Sequence, residues 1–228
     1  MKRKQNGSRK WAAVDRYFEQ QLLSADPALD AALKANREAE LPAIDVTPLQ
    51  GKFLELLVCI SGARRILEIG SLGGYSTIWL ARALPDGGHL ITLELDTRNA
   101  EVARANIARA ALSDRVELRE GRASKSLAAL AKEQAAPFDL IFVDADKASN
   151  PEYLQWSLKL SRPGTVIVLD NVVRDGTVIE ENNPDPDIQG IRRFTEMVAA
   201  EPRLSATVLQ TVAGKGYDGF ALMVVLAH

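Results

Sequence analysis

Two apolar segments that stop abruptly in carboxylates constrain the fold of this chain most strongly. Residues 138–143 lead into Asp144, and residues 165–169 lead into Asp170 and Asn171. The intervening length fits about one helix and one strand, which predicts a right-handed βαβ unit with two adjacent parallel strands. Neighbouring strands lie ~4.8 Å apart. We therefore expect the three side chains to converge at the carboxyl edge of the sheet, where open α/β folds bind ligands.

Three oxygen donors at one sheet edge favour a hard divalent cation. Asp144, Asp170 and Asn171 suit Mg²⁺, Mn²⁺ or Ca²⁺ better than zinc. The structural alternative is that each Asp begins a turn and caps the next helix. The two acidic ends occur together with Lys147 close by, so the sequence favours a site over two independent caps.

Strands and helices alternate through the middle of the chain. The predicted strands are 65–69, 89–95, 116–119, 138–143 and 165–170, with helices between them at 75–84, 97–112, 124–132 and 151–160. Three N-terminal helices are predicted at 11–24, from Pro27, and at 48–61. After a helix near 188–200, Gly214 to Gly219 read as a hairpin turn. The pattern is typical of an α/β fold, a doubly wound and mostly parallel Rossmann-like sheet with an antiparallel C-terminal strand.

Length and charge limit the domain organisation and the partners. The chain has 228 residues, of which 46% are apolar. This suits a single domain over 11–228, with a helical appendage at 11–45. The basic residues 1–10 lack an apolar signal core and are predicted to be a disordered tail. A net charge of −2 argues against nucleic acid, and no apolar run is long enough to cross a membrane.

A single cysteine, Cys59, excludes an internal disulfide and favours the reducing cytoplasm. It lies in a helical apolar pattern with Leu54 and Val58, so we expect it to be buried.

A glycine-rich turn joins the first strand of the alternating region to its helix. Residues 68–76 read Glu-Ile-Gly-Ser-Leu-Gly-Gly-Tyr-Ser, and Glu94 ends the next strand. Glycines let the backbone turn sharply and let a ligand approach, and a carboxylate at that strand end can accept both ribose hydroxyls of an adenosine. The pattern indicates a nucleoside-containing cofactor. A tight turn beside a solvated acid is the structural alternative.

The spacing of the glycines is wrong for a dinucleotide. Counting from Gly70, the positions that need bare backbone against a pyrophosphate hold Leu72 and Tyr75. S-adenosylmethionine (SAM) has no phosphates and fits this turn better.

Together, the turn with Tyr75 and Ser76, Glu94, the segment 138–147 and Asp170-Asn171 resemble the cation-dependent class I O-methyltransferases. This is the family of catechol and caffeoyl-coenzyme A O-methyltransferases, and the resemblance runs from about Val46 to the C-terminus. It implies that Asp144, Asp170 and Asn171 hold the cation, and that Lys147 is the base. It implies a cofactor site around the SAM ribose acceptor Glu94, with candidate residues Val46, Glu68, Gly70, Ser76, Glu94, Ala123 and Asp144.

Two segments depart from the family pattern. The family places Asn-Tyr soon after the lysine, whereas Tyr153 lies farther along here, and the loop 173–187 is distinctive. Both lie where the acceptor is expected. Asp146 is expected to orient the metal site, and Lys147 has a structural alternative as a loop lysine paired with a neighbouring aspartate.

The predicted reaction moves a methyl group from SAM to a hydroxyl of a catechol-like, vicinal dihydroxy aromatic. A phenol with a pKa of about 10 needs activation at neutral pH. The alternatives are an NAD-dependent oxidoreductase and a non-catalytic nucleoside-binding module. The resemblance also implies a homodimer, and the N-terminal helices carry apolar side chains that need covering, at Trp11, Phe18 and Leu22.

Overall fold

The computed structural model describes residues 2–135 and 137–227. The described helices are α1 (Lys2–Leu22), α2 (Pro27–Glu38), α3 (Pro48–Ser61), α4 (Tyr75–Arg82), α5 (Thr97–Arg109), α6 (Ala123–Lys132), α7 (Asn150–Lys159) and α8 (Pro186–Ala200). The described strands are β1 (Arg65–Ile69), β2 (His89–Glu94), β3 (Val116–Glu120), β4 (Phe138–Val143), β5 (Ser161–Asp170), β6 (Leu204–Ala213) and β7 (Gly216–Val225). Short 3₁₀ segments occur at Lys147–Ser149 and Arg174–Ile179.

The chain divides into two compact units. Ser24–Phe142 forms the central unit, and Met1–Leu23 with Val143–His228 forms the C-terminal unit. The strand order is β3-β2-β1-β4 in the central unit and β5-β7-β6 in the C-terminal unit. The predicted α/β fold class, a doubly wound and mostly parallel Rossmann-like sheet with an antiparallel C-terminal strand, is confirmed.

Parallel register brings the ends of β1, β2 and β3 to one edge of the central unit. Ile69 pairs with Leu93, and Glu94 pairs with Glu120. Strands β1, β2 and β4 are almost continuously buried rather than alternating, which is typical of strands covered on both faces. The turn after β1 and the acid that ends β2 therefore emerge side by side.

Helix boundaries follow local capping chemistry. Asp26 caps α2, and Thr47 with Gln50 forms a capping box at the start of α3. Each of these helices has proline in its first turn, where the missing N–H costs nothing. The predicted start at Pro27 and the predicted span 48–61 are confirmed.

The N-terminal region differs from its prediction. Helix α1 begins at Lys2, so a helix replaces most of the disordered tail predicted for 1–10. Helix α1 packs against β6, and the backbone N–H of Gly214 donates to Asp15 at 3.0 Å. Helix α2 packs instead in the central unit against α4 and α5. The predicted appendage is thus split between the units, while the single-domain assignment for 11–228 stays a prediction.

The prediction that Cys59 is buried is wrong, because its side chain is exposed. The buried positions of α3 are Gly51, Leu54 and Val58. One residue advances about 100° around a helix, so Cys59 lies beside this face rather than in it.

The C-terminal hairpin turn is also tighter than predicted, since only residues 214 and 215 separate β6 from β7. Within the described residues, no helix is long and apolar enough to span a bilayer.

Candidate active site

The glycine-rich turn of the central unit adopts the left-handed backbone that its sequence favours. Gly70, Leu72 and Gly74 have φ values of 95°, 48° and 81°. The backbone N–H of Gly70 donates to the carbonyl of Leu93 at 2.9 Å, which continues the β1–β2 pairing into the turn. The turn is therefore anchored to β2 at its first residue.

At the next two glycines, the space that a side chain would need is occupied by neighbouring helices. A Cβ on Gly73 would lie 1.9 Å from Oδ1 of Asn36 in α2, and one on Gly74 would lie 3.3 Å from Ala103 in α5. From the sequence, these glycines are expected to let the backbone turn sharply and to let a ligand approach. The structure adds helix packing as the reason for Gly73 and Gly74.

Glu94 holds the turn from the end of β2. Its carboxylate is 7% exposed. Oε2 accepts hydrogen bonds from the backbone N–H groups of Ser71 (3.2 Å) and Leu72 (2.8 Å), and from the Ser71 hydroxyl at 3.3 Å. Oε1 accepts from the backbone N–H of Asp96 at 2.9 Å. The ribose contact predicted for Glu94 would thus be made by a carboxylate that the turn already fixes in place.

Glu68 is fully buried on β1. Its two carboxylate oxygens accept hydrogen bonds from the hydroxyls of Ser76 (2.6 Å) and Thr77 at the start of α4. These bonds tie β1 to α4 across the turn. Glu68 and Ser76 therefore form a structural pair on the edge where the cofactor is predicted.

The other predicted cofactor residues begin helices. Val46 is buried and directly precedes Thr47, the N-cap of α3. Ala123 is the first residue of α6, whose N-cap, Arg122, makes no side-chain capping bond.

A buried polar chain in the central unit was missed from the sequence. Nδ2 of Asn106 donates to the carbonyl of Gly73 at 2.8 Å and to Oδ1 of Asn36 at 3.1 Å. Nδ2 of Asn36 donates to Asp45 at 2.7 Å. The available signal was periodicity: Asn106 falls on the same face of α5 as Ala103, a polar residue in an otherwise apolar stripe.

The acidic ends predicted from β4 and β5 lie in the C-terminal unit. Nζ of Lys147 donates to Oδ1 of Asp144 at 2.8 Å, and Lys147 is only 6% exposed. Lys147 is thus a buried ion-pair partner of Asp144, not an exposed loop lysine.

The backbone around Lys147 is held by its neighbours. Asp146 accepts from the Tyr153 hydroxyl at 2.6 Å and from the backbone N–H of Ser149 at 3.2 Å. A Cβ on Gly190 of α8 would lie 2.3 Å from the Lys147 carbonyl oxygen, so only glycine allows this close packing. The displaced aromatic noted in the sequence, Tyr153, therefore braces the segment that carries Lys147.

The contact between Asp146 and Tyr153 shifts the pKa of both side chains. Burial raises the pKa of the Asp146 carboxyl, but the hydrogen bonds from Ser149 and Tyr153 outweigh burial, so the pKa lies below its ordinary value. Burial and the bond to Asp146 raise the pKa of Tyr153 above its ordinary value. Tyr153 therefore stays a neutral donor and Asp146 an anionic acceptor.

Asp170 ends β5, and Asn171 directly follows it, as the sequence predicted. Asn171 has a φ of 57°, a conformation that asparagine tolerates better than most residues. Its backbone N–H donates to Oδ1 of Asp170 at 2.8 Å. Oδ1 of Asp218 accepts from the backbone N–H groups of Val173 (3.0 Å) and Arg174 (2.9 Å), which fixes the chain just after Asn171.

Asp170 is an under-compensated buried acid. Burial and then the negative charge of Asp144 raise its pKa, the ammonium of Lys147 lowers it, and together these effects bring the pKa to about 7. Within residues 2–135 and 137–227, no three His, Cys, Asp or Glu side chains cluster as a metal site. The candidate set combines two carboxylates with the amide of Asn171. A hard cation fits this oxygen-only set and would relieve the repulsion between the acids.

Known proteins match nearly the whole chain. The O-methyltransferase family model matches residues 23–223. A catechol O-methyltransferase of Niastella koreensis is 54% identical over 213 residues, which cover 93% of this chain and 96% of that protein. An O-methyltransferase of Bacillus cereus, solved with SAH, is 59% identical with a TM-score of 0.95 over 96% of this chain and 99% of that one.

A further solved structure contains SAM itself. TomG, an O-methyltransferase of Streptomyces achromogenes involved in tomaymycin synthesis, is 50% identical with a TM-score of 0.94 over 96% of this chain and 99% of that one. These matches favour the methyltransferase prediction over the NAD-dependent oxidoreductase and the non-catalytic nucleoside-binding module. The chain belongs to the O-methyltransferase family and is a SAM-dependent O-methyltransferase.

Proposed function

We propose that this enzyme methylates one hydroxyl of a catechol-like, vicinal dihydroxy aromatic, and that it needs a divalent cation to do so. The observation that carries the proposal is the ion pair of buried Lys147 with Asp144, together with the raised pKa of Asp170. A base and an oxygen-only donor set are what two adjacent phenolic hydroxyls require.

Asp144, Asp170 and Asn171 would hold the cation, which we propose to be Mg²⁺, Mn²⁺ or Ca²⁺. When bound, it would stabilise negative charge on the acceptor oxygen and orient the second hydroxyl. Asp146 would act indirectly, since its bonds to Tyr153 and Ser149 hold the 3₁₀ segment Lys147–Ser149 in place.

On the cofactor side, we propose that Glu94 holds the ribose and that the turn from Gly70 to Ser76 surrounds SAM. Val46, Glu68, Ala123 and Asp144 complete the proposed cofactor residues. Methyl transfer cancels the positive charge of the sulfonium against the negative charge of the phenoxide. A water-poor cavity therefore favours the transition state, and fixing both reactants in line supplies much of the remaining rate.

Lys147 is the proposed base. Its ammonium is paired with Asp144 at 2.8 Å, and an ammonium cannot accept a proton. Lys147 must therefore give up its own proton before it takes that of the acceptor. Engagement of Asp144 by a cation would weaken the ion pair and favour the neutral amine.

Asp170 predicts how the stability of the metal-free protein depends on pH. An unfolded aspartate has a pKa of about 3.9, whereas burial and the charge of Asp144 raise that of Asp170 to about 7 in the folded protein. Between these values the unfolded chain has lost a proton that the folded protein still holds. The contribution of Asp170 to the free energy of unfolding is thus greatest below about pH 4 and falls until about pH 7.

Urea unfolding in the presence of a chelator, at several pH values, checks this for wild type and Asp170→Asn. We expect the wild type to lose stability relative to the variant as the pH rises through that window. Parallel stability curves would mean that Asp170 does not titrate there.

Chelation should abolish methyl transfer to catechol, and Mg²⁺ or Mn²⁺ should restore it. Asp170→Ala should lose activity and keep its SAM affinity, because the cation serves the acceptor. Methyl transfer measured with labelled SAM, together with calorimetric titration of SAM, tests both statements. Full turnover by a demonstrably metal-free enzyme would contradict the cation proposal.

Lys147→Met should lower kcat by ~10²–10⁴-fold, the usual effect of losing a general base. The loss should shrink for acceptors with more acidic hydroxyls, such as nitrocatechols, because these arrive already ionised. The measurement is kcat against acceptor pKa for wild type and variant. Parallel lines would assign the proton transfer to another group and leave Lys147 a structural ion-pair partner.

We also propose a homodimer. Helix α1 exposes Val14, Phe18 and Leu22 even though it packs on β6, and such an apolar face favours association. Light scattering at micromolar concentrations should give about twice the chain mass of 24.9 kDa. A single-chain mass over that range would exclude the dimer.

A cytoplasmic location, proposed from the single cysteine, stays a prediction.

A further inference from the structure

We propose that the chain of hydrogen bonds Arg109–Asn106–Asn36–Asp45, whose two asparagines are buried, positions the SAM-binding turn. These residues are positioning residues, since they act through the turn rather than on the reactants. The inference rests on the proposed function, in which the turn from Gly70 to Ser76 and Val46 contact SAM.

The residues at its two ends fix the donor-to-acceptor direction of every hydrogen bond in this hydrogen-bonded chain. The guanidinium of Arg109 can only donate, and its Nη1 donates to Oδ1 of Asn106. Nδ2 of Asn106 must then donate onward, to Oδ1 of Asn36 at 3.1 Å. Nδ2 of Asn36 in turn donates to the carboxylate of Asp45, which can only accept, at 2.7 Å. Neither amide can flip without losing its partners.

A branch of this chain reaches the turn. Nδ2 of Asn106 also donates to the carbonyl of Gly73 at 2.8 Å. Glu94 holds the backbone N–H groups of Ser71 and Leu72. The turn is therefore fixed from both sides, with its N–H groups bound to a carboxylate and its carbonyl bound to an amide.

Contact with the turn is also steric. Oδ1 of Asn36 lies 1.9 Å from where a Gly73 Cβ would be, so the amide occupies the space that a side chain would need. Asn36 and Asn106 are 2% and 0% exposed, and a buried amide that loses its partner costs free energy. The position of Asn36 thus limits the movement of Gly73.

Asp45, at the other end of the hydrogen-bonded chain, lies beside a second segment that we propose contacts the cofactor. Asp45 directly precedes Val46 and the N-cap Thr47 of α3. One hydrogen-bonded path therefore joins the segment before α3 to the turn after β1. The structure assigns to it the task of holding both at the separation that SAM requires, so that binding need not order them.

The experiment compares Asp45→Ala with Asp45→Asn, and adds Asn106→Asp. Alanine removes the last acceptor, whereas asparagine can present an amide oxygen to Asn36. Asn106→Asp places a carboxylate oxygen against the Gly73 carbonyl and Oδ1 of Asn36, while it strengthens the bond from Arg109. Asp30→Ala, an exposed position on α2, is the control.

Calorimetry should show that SAM binds roughly 10- to 100-fold more weakly to Asp45→Ala and Asn106→Asp, the range expected for a lost buried hydrogen bond. Asp45→Asn and Asp30→Ala should match wild type. At saturating SAM, kcat and the acceptor KM should be unchanged in every variant, because Lys147 and Asp170 are held by other contacts.

Unchanged SAM affinity in Asp45→Ala, or equal weakening by Asp45→Asn, would overturn the positioning role. A parallel rise in the acceptor KM would do the same, since it would indicate general loosening of the fold. Asp45 is only half-buried, so its pair of variants keeps the test valid if Asn106→Asp does not fold. Failure of the wild type to bind SAM would contradict the proposed function instead.

Discussion

Burial of carboxylates at strand ends is the constraint on which this structure depends. A buried charge is costly unless hydrogen bonds or an opposite charge replace the lost water. Glu68, on β1, receives two hydroxyls, and Glu94, at the end of β2, receives backbone N–H groups from the turns beside it. Asp144, after β4, receives the ammonium of Lys147. Asp170 is 6% exposed, and the repulsion of Asp144 adds to the effect of its burial and brings its pKa to about 7. We propose that the reaction uses this incompletely compensated acid.

The compensated acids fix the backbone around the others. Asp218 accepts backbone N–H groups from Val173 and Arg174, which holds the chain as it leaves Asn171. Asp146 does the same after β4, through Ser149 and Tyr153. The carboxylate oxygens of these acids accept hydrogen bonds from the surrounding protein. They therefore make the backbone rigid and are not available as reactive groups.

Sequence patterns predicted the strands, most helix starts and the acidic residues at the ends of β2, β4 and β5, because these depend on local periodicity and capping. They failed where the outcome depends on which elements pack together. The exposure of Cys59 follows from the face of α3 that packs. The bond between Asn106 and Gly73 joins positions 33 residues apart, and the contact of Gly190 with Lys147 joins α8 to a segment about 40 residues earlier. A pattern along the chain cannot specify such distant pairs, although an asparagine in an apolar stripe marks one partner.

The two halves of methyl transfer make different demands on a protein. The cofactor is the same in every turnover, so the turn proposed to hold it can be fixed by backbone hydrogen bonds and by amides with a single orientation, as around Gly73 and Glu94. The acceptor must lose a proton, so its side needs a group that can take it, which is the role proposed above for Lys147. A buried acid that is poorly compensated, as Asp170 is, lowers stability when it is charged. The contacts of Tyr153 with Asp146 and of Gly190 with the Lys147 carbonyl would keep the proposed base in place once the loss of its proton weakens its ion pair with Asp144.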